Sequence, residues 1–204
     1  MKEQKSYMNI KSIVSLISSL NEGVKFEDDG TTKYGSEILD GLTKAYSFVL
    51  KSTLGYGFRK ADLLYINSLI QPKGDGNYRS KKVIVNDRNG NPLLPFEIGI
   101  NMDKLLHKIS SDSDLSPYEK AAVSQGGIYH IQPFIDGNKR TGRVVMDKIL
   151  IETGSFLPEF HERENYIDTL FKVSENLRYD QYNGELLDNI NSFNPLIKLI
   201  KQAQ

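Results

Sequence analysis

Between Gln132 and Arg143 the chain reads Gln-Pro-Phe-Ile-Asp-Gly-Asn-Lys-Arg-Thr-Gly-Arg. What flanks this dozen residues limits the fold more than anything else in the sequence. Upstream, Ser116-Pro117-Tyr118-Glu119 is a capping box with proline in the first helical turn, which predicts a helix running to about Ile131. Downstream, an apolar pattern of helical period covers about 138–153 and stops at Gly154. The dozen is therefore a tight turn between two helices. Glycine permits such a turn and exposes backbone N–H groups. A helix start adds about half a positive charge, and Lys139, Arg140 and Arg143 add full ones. That combination suits a polyphosphate, with Asp136 placed to hold its divalent metal.

The rest of the chain reads as mainly helical. Ile10, Ile13, Val14, Ile17 and Leu20 predict a first helix over 8–22, ended by Asn21-Glu22-Gly23. Residues 24–35 are polar and read as a linker. Ile38, Leu39, Leu42, Ala45, Tyr46 and Val49 form a second helical stripe, and Leu63, Leu64, Ile66, Leu69 and Ile70 a third. Residues 71–95 break the pattern. They hold several glycines and prolines, one β-prone run (Lys82-Val83-Ile84-Val85) and the turn dipeptide Asn89-Gly90, which together predict a small hairpin. Helices resume at 96–110. Tyr166, Ile167, Leu170, Phe171 and Val173 mark a later helix, and two short helical segments fill 179–203.

Composition excludes several classes. The 204 residues carry a formal net charge of zero, which argues against a broad electrostatic grip on nucleic acid. There is no cysteine, so disulfides and thiolate metal sites are excluded and a reducing, cytoplasmic home is expected. No apolar run is long enough to span a membrane, and with no long apolar core behind Met-Lys-Glu-Gln-Lys a secretory signal is not expected. Delivery to a host or neighbouring cell would need a signal of another kind.

The segment from Gln132 to Arg143 resembles the signature of the Fic (Fido) family, His-x-Phe-x-Asp/Glu-Gly-Asn-Gly/Lys-Arg-x-x-Arg. Phe134, Asp136, Gly137, Asn138, Lys139, Arg140 and Arg143 fall in register. Gly76-Asn77-Tyr78-Arg79, ahead of Val83-Ile84-Val85, resembles the approach to the family's hairpin "flap". The resemblance covers roughly residues 35–190. It implies a Fic-type helical bundle with one small β-hairpin flap over 74–95, a Fic domain over 35–204, and an N-terminal segment over 1–34. There, Ser18-Ser19-Leu20-Asn21-Glu22-Gly23 resembles the family's inhibitory motif, Ser/Thr-x-x-x-Glu-Gly/Asn.

Fic proteins typically transfer AMP from ATP to a hydroxyl of a target protein. By that resemblance, Asp136 would bind Mg²⁺, and Gly137, Asn138, Lys139 and Gly142 would line the phosphates. Arg140 would neutralise developing pyrophosphate charge, and Arg143 would reach the γ-phosphate. The flap, through Val83, Ile84 and Val85, would pin an extended stretch of the target protein. Glu22 would pair with Arg143 and turn ATP away, with Ser18 one turn earlier on the same face. Family members often self-associate, but no exposed stripe here argues for a dimer.

Two positions depart from the signature. Gln132 stands where the family has its general-base histidine, and glutamine cannot take a proton near neutral pH. Transfer to a hydroxyl should then be slow or absent, while nucleotide binding could persist. His130 lies two residues upstream, in what should be the last turn of a helix, where it would diverge from position 132. Lys139 resembles the lysine of Doc toxins, which transfer phosphate instead of AMP. A non-catalytic nucleotide- or partner-binding module and a Doc-like phosphotransferase are the rival readings. His107 and His161 carry no ligand pattern.

Overall fold

The computed structural model describes residues 32–51, 58–71, 76–83, 93–160 and 162–203. Seven α-helices cover most of them: α1 (Thr32–Lys51), α2 (Lys60–Ile70), α3 (Pro95–Ser111), α4 (Pro117–Ile131), α5 (Asn138–Glu152), α6 (Arg163–Tyr182) and α7 (Asn194–Gln202), with a 3₁₀ turn at Ile190–Phe193. No strand occurs among the described residues. Val83 is irregular, and Ile84, Val85 and the Asn89-Gly90 dipeptide lie outside the described set, as do Ser18, Glu22, Gly74 and His161. The polar linker expected over 24–35 ends earlier than its composition suggested, because α1 is already helical from Thr32.

The two helices that flank the signature turn form the centre. In α4 every residue from Ala121 to Ile131 is buried, and in α5 every residue from Thr141 to Leu150. A helix buried all round must be wrapped on all sides. α3, α5, α6 and α7 pack around α4, while α1 and α2 close over α5. The capping box at the start of α4 forms as the sequence requires: Ser116 Oγ accepts from the Glu119 N–H at 3.4 Å and Glu119 Oε2 accepts from the Ser116 N–H at 2.7 Å.

The central helices approach closely where a side chain is missing. A Cβ at Gly142 of α5 would stand 2.6 Å from Gln125 Oε1 of α4. A Cβ at Gly41 of α1 would stand 2.3 Å from the Leu69 carbonyl oxygen of α2. The consequence for function is a rigid frame: α4 and α5 are fixed on every side, and the turn joining them has little freedom of its own.

Candidate active site

α4 ends at Gln132, a non-glycine residue in the left-handed region (φ 49°, ψ 59°). That conformation costs roughly 1–2 kcal/mol for an L-residue. Its side chain offsets part of this by folding back on the helix, so that Nε2 donates to the Tyr129 carbonyl. One of the carbonyls a helix end leaves without an intrahelical partner is thereby satisfied. Pro133 follows and cannot continue the helix. The Gln132 amide is thus turned toward α4, and the residue is buried.

The turn closes on itself through Asn138. Its Oδ1 accepts from the Phe134 N–H and its Nδ2 donates to the Phe134 carbonyl, both at 2.9 Å. Phe134 is buried, with its ring 5.9 Å from that of Tyr78. Gly137 then takes φ 81°, which only glycine adopts cheaply, and starts α5. The Asn138 amide is accordingly a brace inside the turn; its two polar atoms lie on Phe134.

Three side chains outside the two central helices fasten the turn. Asn67 of α2 donates to the Asp136 carbonyl at 3.1 Å and to the Thr141 hydroxyl at 3.0 Å. Gln71, which caps the end of α2, donates to Asp136 Oδ2 at 2.9 Å. Arg79 is buried, and its guanidinium donates to the carbonyls of Gln132 (2.6 Å), Lys81 (2.9 Å) and Leu93 (2.6 Å). Its own N–H donates to the Pro133 carbonyl at 2.8 Å. Lys81 and Leu93 bracket residues 82–92, so one guanidinium holds both ends of that segment beside the turn.

What faces outward at the start of α5 is a carboxylate and two cations. The Asp136 side chain is 50% exposed. Its Oδ1 accepts from the Gly137 N–H and lies 3.4 Å from Arg140 Nη2. Arg140 is partly buried, with Nη1 lacking a partner among the described residues. Lys139 is exposed. The first N–H groups of α5 have no partner within the helix by its geometry. One carboxylate with phosphate oxygens and water is a donor set Mg²⁺ accepts, and among the described residues no cluster of three metal-ligating side chains competes with it.

Arg143 lies elsewhere. Only 2% exposed, it shares its Nε–H between the two oxygens of Asp147 (3.0 and 2.9 Å). Its Nη2 donates to the Pro158 carbonyl at 2.6 Å, and its guanidinium lies 4.5 Å from the centre of the Phe160 ring. Tyr46 donates to Asp147 Oδ2 at 2.6 Å, and Phe160 stacks on Tyr166. Burial works against charge on Arg143, but Asp147, with Tyr46 and Tyr166, outweighs it and raises its pKa. Burial also raises the Asp147 carboxyl and Tyr166 above their ordinary values, while Arg143 pulls both back. The structure brings Asp136, Lys139 and Arg140 together at one surface, with Gly137 buried between them, and leaves Arg143 inside.

His130 is buried in the last turn of α4, with Nδ1 at 3.0 Å from Ser174 Oγ of α6. Asn67, Gln71 and Asp147 were not singled out from sequence, and Tyr46 was read only as part of a helical stripe. The Arg143–Asp147 and Asn67–Gln71 spacings of four residues were the available signal.

The described residues define a mainly helical, Fic-like fold with the signature turn at its centre. Residues 57–150 match the model of the Fic/DOC family. Over that segment the chain is similar to the Fic/DOC family. It is 33% identical over 150 residues to the protein adenylyltransferase Fic of Nematostella vectensis, an alignment covering 66% of this chain and 33% of that protein. The chain spans about a third or less of the length of the curated relatives it matches. A solved Fic domain containing signaling protein from Bacteroides thetaiotaomicron superposes with a TM-score of 0.73 at 16% identity, covering 91% of this chain and 74% of that one. IbpAFic2, solved in complex with adenylylated Cdc42, superposes with a TM-score of 0.58 at 18% identity, covering 90% of this chain and 62% of that one. No helix among the described residues is long and apolar enough to cross a membrane.

Proposed function

We propose that the chain is a Fic-type protein adenylyltransferase scaffold that binds ATP with Mg²⁺ at the start of α5, and that its transfer step is impaired at Gln132. The observation that carries this reading is the half-exposed Asp136 carboxylate beside Arg140, on a turn braced by Asn67, Gln71 and Arg79. Asp136 would hold the metal, which when bound would screen the phosphate charge. Gly137, Lys139 and the opening N–H groups of α5 would line the phosphates, Arg140 would take up charge as pyrophosphate leaves, and Asn138 would keep the turn in shape; Gly142, expected beside them, is instead buried against Gln125 of α4. In such a site positioning and electrostatics carry most of the catalysis. The target's hydroxyl would need a base at position 132, and glutamine supplies none.

The target protein would dock along the segment that holds Val83, Ile84 and Val85. Support comes from Arg79, which ties Lys81 and Leu93 to one guanidinium and so brings the ends of that segment together at the turn.

A second reading, a nucleotide-binding module without transfer, is favoured by the Gln132 amide being spent on the Tyr129 carbonyl. Gln132→His separates the two when incubated with α-labelled and γ-labelled ATP and a target extract. Label from the α position on protein in this variant supports the adenylyltransferase scaffold, and label from γ indicates a Doc-like phosphotransferase. Binding of ATP with no label from either position leaves the module.

A further inference from the structure

We propose that Asp147 is a specificity-determining residue: a built-in counter-ion that withholds Arg143 from the nucleotide, so that the site takes a nucleoside diphosphate about as readily as a triphosphate. This rests on the nucleotide-binding reading above and sharpens which nucleotide the site recognises.

Among the described residues, Lys139 and Arg140 are the cations in the first turn of α5, and both are at least partly exposed. Arg143 is the next along the helix. A guanidinium there adds a terminal-phosphate contact only if its donors point outward. They do not: Nε is shared across both Asp147 oxygens, Nη2 is on the Pro158 carbonyl, and Phe160 covers the guanidinium face. Asp147 stands one full turn farther from the helix start, so the pairing draws the side chain away from the anion end.

The carboxylate is itself held in place. Tyr46 of α1 donates to Asp147 Oδ2 at 2.6 Å, and the Arg143 and Asp147 side chains are 3% and 0% exposed. Removing one partner from a pair this deeply buried leaves an uncompensated charge, so the pair is not exchanged lightly for a solvent-facing phosphate. A carboxylate that silences Arg143 was expected at Glu22. Glu22 lies outside the described residues; among the described residues the carboxylate on Arg143 is Asp147, on the same helix as the arginine.

The discriminating measurement is calorimetric titration of the full chain with ADP and with ATP, both with Mg²⁺, in the wild type, in Asp147→Asn and in Glu22→Gly. A charge-assisted hydrogen bond to the terminal phosphate is worth about tenfold or more in affinity. The wild type is expected to bind the two nucleotides within about threefold of each other. Asp147→Asn should release Arg143 and tighten ATP about tenfold over ADP, while Glu22→Gly leaves the ratio alone. A wild-type preference for ATP of about tenfold or more overturns the assignment, as does a folded Asp147→Asn with an unchanged ratio, or a ratio that moves with Glu22→Gly alone. If circular dichroism shows Asp147→Asn to be unfolded, the wild-type ratio decides by itself. Absence of binding by either nucleotide sinks the nucleotide-binding reading, a failure distinct from a wrong ratio, and the assignment falls with it.

Discussion

Arg79 and Gln132 stand 53 positions apart in the chain, and the guanidinium Nε of the first donates to the carbonyl of the second at 2.6 Å. The bond joins the approach to residues 82–92 to the first residue of the signature turn. Two further donors of the same guanidinium reach the carbonyls of Lys81 and Leu93.

Arg79→Ala should therefore be among the most damaging single changes near the site. It leaves the Gln132 and Leu93 carbonyls without their donor in buried surroundings, at about 1–3 kcal/mol for each unsatisfied group. The expected loss is about 3 kcal/mol, read from the midpoint of guanidinium chloride unfolding. Lysine at 79 has one ammonium in place of a planar fork and should recover only a fraction. An Ala variant as stable as the wild type would show that the clamp is incidental.

Two glycines in helices should respond to alanine with opposite signs. A methyl at Gly41 would stand 2.3 Å from the Leu69 carbonyl oxygen and 3.2 Å from the Ile70 Cα, both backbone atoms, so α1 and α2 would have to part. Gly41→Ala should cost about 2 kcal/mol or more. At Gly99 in α3 the same methyl meets nothing within 4 Å. Gly99→Ala should stabilise by about 0.5–1 kcal/mol through helix propensity. Paired thermal melts check both, and shifts of the same sign would contradict the helix spacing.

Stability should fall in mild acid because of His130. Burial lowers its pKa to about 4, aided by the charge of Arg178 and opposed by hydrogen bonds to Gln181 and Ser174 and by Asp180. The unfolded chain takes up this proton below about pH 6.5 and the folded protein only below about pH 4. The unfolded state thus binds more protons in that window, and folding weakens as pH falls through it. By pH 5 the loss should reach about 2 kcal/mol. Urea titrations at pH 7 and pH 5 measure it, and in His130→Leu this component should vanish.

The helical frame was legible in the sequence because apolar periodicity and capping residues are local signals. The Ser116–Glu119 box, the stop at Gly154 and the stripe from Ile38 to Val49 all fall where the helices lie. The turn was legible for the same reason: Gly137 takes the positive φ that its place before a helix demands. What escaped were partnerships between distant segments. Nothing in the residues around Asn67 and Gln71 says that their amides will meet Asp136, 69 and 65 positions later. Arg143 reads as a ligand group from its place in the signature, and only packing reveals that Asp147, Pro158 and Phe160 have taken its donors and its face. His130 was placed correctly as a helix-end residue, although its full burial follows from α6 lying over it at Ser174.

Asn67, Gln71 and Arg79 all come off the ribosome before the turn they fasten. The receptacle is thus synthesised ahead of the piece that seats in it. A fragment cut after α5 keeps these three anchors, whereas one beginning at residue 80 has lost all of them while retaining the whole signature.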